Sequence, residues 1–398
     1  MRKVYIQNLR PGMVLGGTIR NQRGDVLLSK GVVLSEGYID ALRAHGFYAV
    51  YIMDGIADDV EPPDILSDHV RMATYKHVHE LFAVARGAAA SGGANGSNDL
   101  PDRIAGAAAH QVAQLHRDIA AIIDEVMSAE VLSGVVSLKS HDSYTFEHSI
   151  EVTVAGVVLG KRLNIASQEL YQLALGCMLH DVGKLVIPPE VLSKPSRLTP
   201  EEFDLVRRHP LAGYEIVRQM TGEGEILARH LVWQHHERQD GTGYPRGLRG
   251  INEFGYARQE HFGQGLILPA AEIAAVADVY SALASDRPYR PALSPLDTVS
   301  ALRQMAGSHL NRKIVSRFLS ILPTYPVGTE VVVAGGKLEG YRGIVTHVDP
   351  AHIHRPTVRI LFDPTGRRVT PFHIDTSRER EMDLAIPSCA EAACARAV

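Results

Sequence analysis

The 398-residue sequence has few cysteines, no excess of charge of one sign and no long apolar run. Three cysteines, Cys177, Cys389 and Cys394, cannot build a disulfide framework, which favours a reducing compartment. Cys177 lies in an apolar helical pattern and is expected to be a packed thiol. No apolar segment reaches the roughly 18 residues that a membrane-spanning helix needs. The basic amino terminus lacks the apolar core and cleavage site of a secretory signal, so we expect a cytoplasmic protein.

The charges are close to balanced. Lys and Arg together number 41 and Asp and Glu 45, which gives a net charge of -4. This balance excludes a general basic surface for a nucleic acid polymer and a polybasic membrane patch, although a local basic pocket stays open. At roughly 100–200 residues per domain, the length predicts two to four domains.

Composition and periodicity divide the chain into five stretches. In order, we predict a small N-terminal α/β module with a regulatory role, a flexible Gly/Ala/Ser/Asn-rich linker, a helical domain with a leading helix, a small β module and a loose tail: 1–86, 87–102, 103–322, 325–384 and 385–398. The predicted fold class is therefore mainly α, with the helical domain flanked by the α/β module and the β module.

The helical stretch carries a set of imidazoles and carboxylates on separate predicted helices. The candidate metal ligands are His148, His180, Asp181, His209, His235, His236 and Asp278. Donors of these two kinds suit first-row transition metals. Seven ligands are too many for one ion, and a carboxylate that bridges two ions would accommodate them. Asp181 is the natural bridge because its neighbour His180 can bind one of the same ions.

The order of these residues resembles the HD-GYP family of cyclic dinucleotide phosphodiesterases, which belongs to the HD metal-dependent phosphohydrolases. The similarity extends over roughly 138–322, nearly half of the chain. The similar blocks are DSYTFEHSIEV, LHDVGKLVIPPEVLSKPSRLTPEEF, RRHPLAGYEI, HHERQDGTGYPRGLRG and AVADVYSALASDRPYRPALSP.

The resemblance implies a role for each matching residue. The metal set shared with the wider superfamily would be His148, His180, Asp181 and Asp278. A second ion's shell would be completed by His209, His235 and His236. Lys184 would lie by the scissile phosphate and, with Asp181, would be catalytic. The substrate-side loop would be Gly243, Tyr244 and Pro245. Arg287 and Arg290 would face the substrate phosphates, since a guanidinium fork suits phosphate oxygens.

The function that the resemblance implies is hydrolysis of cyclic di-GMP to pGpG, GMP or both through a metal-activated water at a binuclear site. The cofactors would be two divalent transition-metal ions, with Fe or Mn favoured and Zn or Ni left open. A homodimer and a signalling protein partner are also left open. The alternatives are a catalytically weak cyclic di-GMP sensor or interaction protein, and a phosphohydrolase for another cyclic dinucleotide or nucleotide.

Two departures from the family pattern matter. Tyr144 stands where some members carry a glutamate that helps to hold a third metal. Glu147, next to His148, would point about 100° away on a helix, so we expect two metals rather than three. The segment 251–273 is longer than the usual link by about a dozen residues, within the range of a functional loop. A lid over the site and a surface loop both stay open for it.

Overall fold

The structure is a computed structural model of the chain. The residues that it describes are all except 21–24, 46, 48, 54, 56, 62, 91–99, 130, 133–143, 193, 195, 222–223, 256–264, 286–291, 380 and 387–398. The chain divides into two compact units, one of 1–64, 130–134 and 320–398, and the other of 65–129 and 135–319. None of the helices in the described residues is long and apolar enough to cross a membrane.

The second unit is helical. Its α-helices are α2 Asp68–Ala90, α3 Leu100–Val126, α4 Tyr144–Arg162, α5 Ser167–Leu179, α6 Pro189–Leu192, α7 Pro200–Val206, α8 His209–Met220, α9 Ile226–Gln234, α10 Pro269–Ala284, α11 Pro295–Met305 and α12 Arg312–Leu319. A 3₁₀ turn, Val182–Val186, follows α5.

Two helices of this unit have long stretches in which every residue is buried. Every residue of α5 from Leu173 to Leu179 is buried, and so is every residue of α10 from Ala270 to Ala277. Both helices pack against α4 and α9, while α3 packs along α8. Helices that are apolar on all sides belong in a core, so the residues at their ends meet inside the unit.

Local signals set several helix starts. Thr199 and Glu202 form a capping box at the start of α7, with Pro200 in the first turn. Ser294 caps α11 in the same way, by accepting a hydrogen bond from the backbone N–H of Asp297. The short region from Thr199 to Arg208 therefore has a fixed local conformation immediately before His209.

The first unit contains N-terminal and C-terminal segments, and its described residues form strands, one α-helix and short 3₁₀ helices. Its elements are β1 Arg2–Tyr5, β2 Val14–Leu15, β3 Ile19–Arg20, β4 Val26–Leu28, α1 Glu36–Ala44, β5 Ala49–Met53, β6 Glu330–Ala334, β7 Arg342–His347, β8 Thr357–Phe362, β9 Arg368–Asp375 and β10 Asp383–Ala385. The sheets are antiparallel, with strand orders β1-β5-β2, β3-β4 and β10-β6-β7-β8-β9.

The two ends of the chain meet inside this unit. Both carboxylate oxygens of Asp59 accept hydrogen bonds from the guanidinium of Arg359, at 2.7 Å each. Ala57 and Val60 pack on Ile344 and Leu361 beside this pair. The N-terminal and C-terminal segments therefore share a small apolar core.

The predicted fold class is confirmed: the chain is mainly α, with an N-terminal α/β segment and a C-terminal β-sheet. The predicted leading helix starts at Leu100 and ends at Val126. The predicted linker 87–102 overlaps the end of α2 and the start of α3, and its residues 91–99 lie outside the described residues, as does the tail 387–398. The five domain boundaries stay a prediction.

Candidate metal centre

Most of the seven predicted ligands lie where helices end. His180 and Asp181 follow α5 directly, His209 opens α8 just after α7, and His235 follows α9. His236 is the next residue. His148 lies in the second turn of α4 and Asp278 lies within α10, and these two helices pack against each other.

Three of the histidines cap the ends of helices with one ring nitrogen. In each, Nδ1 faces the backbone oxygen of the residue three positions earlier, in the last turn of the preceding helix. A carbonyl oxygen only accepts, so Nδ1 carries the hydrogen, and the helix gains a partner for a carbonyl that its own ladder leaves open. The Nε2 lone pair is then free to bind an ion. The pairs are His180 with Cys177, His209 with Val206, and His235 with Val232, each at 2.7 Å.

The freed Nε2 atoms converge on Asp181. Nε2 of His209 lies 3.3 Å from Nε2 of His235 and 3.5 Å from Oδ1 of Asp181. Nε2 of His180 and Oδ1 of Asp181 are buried and have no hydrogen-bond partner among the residues that the structure describes. Acceptors gathered without donors in a buried space cost free energy unless a cation joins them. The residues therefore fit a bound metal.

The possible donors form two groups within the described residues. One is His209, His235 and His236, the other His148, His180 and Asp278, and within each group the candidate ligand atoms lie within 4.8 Å of one another. Asp181 turns Oδ1 to His209 of the first group, at 3.5 Å, and Oδ2 to His180 of the second, at 3.4 Å. That placement suits a carboxylate that bridges two ions.

Burial and mutual charge set the protonation of these groups. Burial lowers the pKa of His209 to about 3 and that of His236 to about 4, and it also lowers the pKa of His148 and His235. Burial alone would raise the pKa of both carboxylates, but Lys184 and His180 hold the pKa of Asp181 well below its usual range, and His148 does the same for Asp278. Burial opposes the charged form of His180, yet Asp181 and Asp278 raise its pKa overall. Neutral imidazoles and ionised carboxylates are the forms that bind metals.

Lys184 is placed by the 3₁₀ turn that follows His180 and Asp181. Its Nζ atom lies 2.6 Å from Oδ2 of Asp181, and its side chain is partly exposed. The turn packs tightly on α8: a Cβ on Gly183 would lie 1.9 Å from the backbone oxygen of His209 and 2.5 Å from the nitrogen of Gly213. Glycine is therefore required here for a close approach of two backbones.

The GYP segment closes the side of the site next to His236. A Cβ on Gly243 would lie 2.4 Å from the backbone nitrogen of Arg238, so this segment folds directly onto the residues after the double histidine. Tyr244 donates its backbone N–H to the oxygen of His236 at 3.2 Å, and the two rings lie 4.8 Å apart. Pro245 follows through a cis peptide bond and is exposed.

Three buried acidic or hydroxyl residues of the site were not predicted from the sequence. The carboxylate of Glu237 accepts hydrogen bonds from the backbone nitrogens of Arg246 and Leu248, at 2.7 and 2.8 Å, and so holds the GYP loop. Ser281 and Glu151 stand behind His148. Spacing in the sequence could have indicated Ser281 and Glu151. Each lies three residues after a predicted ligand on a helix, and residues three apart share a face.

Some predicted residues lie outside the described part of the chain. Arg287 and Arg290 fall within 286–291, and the middle of the insertion falls within 256–264. Their predicted placement stays a prediction. Cys177 is buried and free, as predicted.

Comparisons with known proteins agree with this site. Residues 130–253 match the family model of the HD domain. A cyclic di-GMP phosphodiesterase of Pseudomonas aeruginosa is 31% identical over 271 residues, which are 66% of this chain and 60% of the relative. A 3'3'-cGAMP-specific phosphodiesterase 1 of Vibrio cholerae is 34% identical over 182 residues, 46% of this chain and 38% of the relative. A solved HDG"Y"P protein from Bdellovibrio bacteriovorus has a TM-score of 0.44 and 15% identity, over 80% of this chain and 98% of that one.

The chain therefore carries an HD domain, a fold that binds divalent metal through histidine and aspartate. Its histidine and aspartate motifs resemble those of the HD-GYP family. It spans less than two thirds of the length of the two curated relatives.

Proposed function

We propose that the chain is a metal-dependent phosphodiesterase that hydrolyses cyclic di-GMP to pGpG, GMP or both at a binuclear site. The observation that carries the proposal is the position of Asp181, which faces His209 with one oxygen and His180 with the other. It joins two groups of metal donors into one centre. The name of the Pseudomonas aeruginosa relative supports the reaction and the substrate.

The protein's part in this reaction is to bind, to orient and to hold charge. When bound, two divalent ions supply an acidified water and draw charge from the phosphoryl oxygens. Asp181 would help to hold both ions, with one oxygen toward His209 and the other toward His180. Lys184 ends next to Asp181 and is partly exposed, so its ammonium group is available to the phosphate as fixed positive charge. Arg287 and Arg290 would add guanidinium contacts to the phosphates.

The substrate-side loop is the segment Gly243, Tyr244 and Pro245. Burial raises the pKa of the Tyr244 hydroxyl, and Asp181 and Asp278 raise it further. The hydroxyl therefore stays protonated at neutral pH and can donate a hydrogen bond to a substrate oxygen. Its ring packs on His236, so substrate that contacts Tyr244 lies next to the metal donors.

The donor set favours Fe or Mn, and Zn or Ni also suit imidazole and carboxylate. Two ions are proposed rather than three, because Tyr144 replaces the glutamate of some family members. The remaining predictions, a homodimer and a signalling protein partner, stay predictions.

A second candidate substrate is 3'3'-cGAMP. The Vibrio cholerae relative is named for that substrate, and its matched segment covers 38% of its own length. A catalytically weak sensor is the other alternative; it would keep nucleotide binding without turnover.

The test is turnover by protein purified without oxygen and loaded with ferrous iron or manganese, beside an Asp181→Ala variant. Cyclic di-GMP and 3'3'-cGAMP are supplied separately, and metal content is measured on both proteins. We expect linear or monomeric product and about two metals per chain in the wild type, with both lost in the variant. Metal binding without turnover of either dinucleotide would favour the sensor. Absence of bound metal would overturn the proposed site.

A further inference from the structure

One histidine of the centre is held differently from the others. His180, His209 and His235 each donate Nδ1–H to a carbonyl of their own neighbouring helix. Nδ1 of His148 instead faces a side chain, the hydroxyl of Ser281, at 2.9 Å. A backbone carbonyl remains after any side-chain substitution. The Ser281 hydroxyl that faces His148 can instead be removed by a single substitution.

The hydroxyl of Ser281 is itself held by a buried carboxylate. It donates to Oε2 of Glu151 at 2.7 Å, and Glu151 and Ser281 are both fully buried. A serine hydroxyl has one hydrogen, so an oxygen that donates to Glu151 accepts from His148. The chain Glu151–Ser281–His148 therefore fixes the hydrogen on Nδ1 of His148 and aims Nε2 toward Asp278, whose Oδ1 lies 3.1 Å away.

Helical spacing builds this arrangement. His148 and Glu151 are three residues apart on α4, Asp278 and Ser281 are three apart on α10, and Ser285 follows the end of α10. The hydroxyl of Ser285 also reaches Oε2 of Glu151, at 3.3 Å. Ser285 thus shares the carboxylate partner of Ser281, and its hydroxyl is directed to Glu151 rather than to a ligand histidine.

We infer that Glu151 and Ser281 are positioning residues for one of the two ion positions, the one formed by His148, His180 and Asp278. This position depends on a removable hydroxyl, so it can be lost while the position at His209, His235 and His236 is kept. The inference rests on the proposed metal centre. Partners that orient metal-binding histidines typically change metal affinity by about 10–100-fold.

The experiment compares Ser281→Ala with its matched control Ser285→Ala and with the wild type. Each protein is loaded with manganese or ferrous iron, dialysed against a weak chelator, and analysed for metal per chain. We expect two metals in the wild type and in Ser285→Ala, and about one in Ser281→Ala, with affinity for the lost ion weaker by about 10–100-fold. Circular dichroism checks that the variants are folded.

The outcomes separate this inference from the proposed function. Two metals bound by Ser281→Ala with wild-type affinity would overturn the role of Ser281, and so would equal losses in both serine variants. A wild type without metal would overturn the proposed centre itself. If Ser281→Ala does not fold, metal content is measured in Glu151→Gln instead. An amide can donate to Ser281 and disturb its hydrogen-bond direction, so we expect the same selective loss, and two retained metals would count against the inference.

Arg207 lies on the surface next to Tyr244. The Cζ atom of Arg207 lies 5.3 Å from the centroid of the Tyr244 ring and 5.9 Å from that of Phe203. Tyr244 in turn packs on His236, at 4.8 Å between ring centroids. Tyr244 therefore contacts His236 of the predicted metal site on one side and the exposed guanidinium of Arg207 on the other.

Arg207 is free to bind a ligand in this position. Its ion pair with Asp204, at 3.7 Å, is long and solvent-exposed, and such pairs are weak. A guanidinium that lies against aromatic rings keeps in-plane N–H donors for a phosphate. Phe203 beside it is 45% exposed and meets the Tyr244 ring edge-on, at 6.4 Å between ring centroids.

We propose that Arg207 forms a subsite for the second phosphate of a cyclic dinucleotide, the one that is not being cleaved. This proposal rests on the proposed function. Phe203 and Tyr244 together hold the guanidinium in this position. Charge-assisted hydrogen bonds of this kind contribute about tenfold or more to binding.

The test measures kcat and KM for cyclic di-GMP and for bis(p-nitrophenyl) phosphate, a phosphodiester with only one phosphate. In Arg207→Ala we expect KM for cyclic di-GMP to rise about tenfold and turnover of the small diester to be unchanged. Arg208→Ala removes the same charge one residue further along and should leave both substrates unaffected. Equal effects of Arg207→Ala on both substrates, or none on either, would overturn the subsite. Failure of the wild type on both substrates would overturn the proposed function.

Discussion

Nζ of Lys184 lies 2.6 Å from Oδ2 of Asp181, and 31% of the lysine side chain is exposed against 3% of the aspartate. The lysine therefore reaches from the surface of the site to a buried carboxylate. It compensates the charge of Asp181 while part of its own side chain stays exposed.

We predict that Lys184→Gln lowers kcat about a hundredfold while metal content is kept, because fixed positive charge at the phosphate is lost. In the metal-free protein the same change leaves a buried carboxylate without its cation, so the free energy of unfolding should fall by about 1–3 kcal/mol. Steady-state kinetics, metal analysis and urea unfolding measure these effects. Lys194→Gln, which breaks the ion pair with Glu202, is the control and should keep full turnover. Normal turnover in Lys184→Gln would restrict the lysine to a structural role.

The stability of the metal-free protein should depend on pH in a defined window. Burial lowers the pKa of His209 to about 3 and of His236 to about 4, against an ordinary value of 6.5. Between about pH 4 and 6.5 the unfolded chain thus binds more protons than the folded one, so stability rises with pH. The pKa of His180 is raised, so above pH 6.5 the folded chain binds more protons at this residue and stability falls as the pH rises.

Urea midpoints of the metal-free protein, measured from pH 4.5 to 7.5, test this expectation. The midpoint should rise up to about pH 6.5 and then level off or fall slightly. His236→Gln removes one of the titrating groups and should flatten the rise. A midpoint that does not change below pH 6.5 would contradict the burial of these imidazoles as neutral groups.

A methyl group at Gly183 should disturb two functional segments together. Gly183→Ala places a Cβ against the backbone of His209 and Gly213, so the 3₁₀ turn with Lys184 and the start of α8 must separate. We expect a loss of stability of about 1–3 kcal/mol, together with weaker metal binding. Thermal unfolding and metal analysis measure both.

Gly106→Ala is the matched control. Gly106 lies exposed within α3, and a Cβ there meets nothing within 4 Å. Alanine is the better helix former, so this change should stabilise the protein by about 0.5–1 kcal/mol. Equal changes in stability from Gly183→Ala and Gly106→Ala would contradict the close approach of the backbone at Gly183 to α8.

In the first unit, apolar contacts should matter more than the ion pair that joins its two ends. Asp59 and Arg359 are paired at a site where Asp59 is largely exposed, so Arg359→Ala should cost no more than about 1 kcal/mol. Leu361 is 4% exposed in the core shared with Ala57 and Val60, and Leu361→Ala should cost about 2–5 kcal/mol. Denaturant unfolding, followed by a probe in this unit, gives the free energy of unfolding of both variants. A larger loss in Arg359→Ala than in Leu361→Ala would indicate that the ion pair stabilises this unit more than the apolar core does.

The fold class and the candidate ligands could be predicted because both depend on local patterns. Apolar periodicity indicates the helices, and the types and order of His148, His180, Asp181, His209, His235, His236 and Asp278 indicate a metal site. The position of strand β9 within the predicted β module could not be read from its pattern, because most of its residues are exposed and its sequence lacks the alternation that marks a half-buried strand. The pairing of Asp59 with Arg359 joins residues 300 positions apart, which no local pattern encodes.

The relation of Ser281 and Glu151 to His148 depends on how α4 meets α10. Each residue has the expected spacing on its own helix, but a serine and a glutamate at such positions are common. Only the packing of the two helices turns them into partners of a ligand. The capping of helices by His180, His209 and His235 likewise appears once the helix ends are known.

Because of that capping, three of the predicted ligands keep their orientation independently of the rest of the site. Each is aimed by a carbonyl within three residues of itself in the sequence, so a helix end that moves as a rigid piece carries its histidine's orientation along. A shift of a whole helix would therefore change the spacing of the pocket without loss of the support of these histidines. His148 has no such independence: its support comes from another helix, and any shift between the two helices must be matched by new side chains.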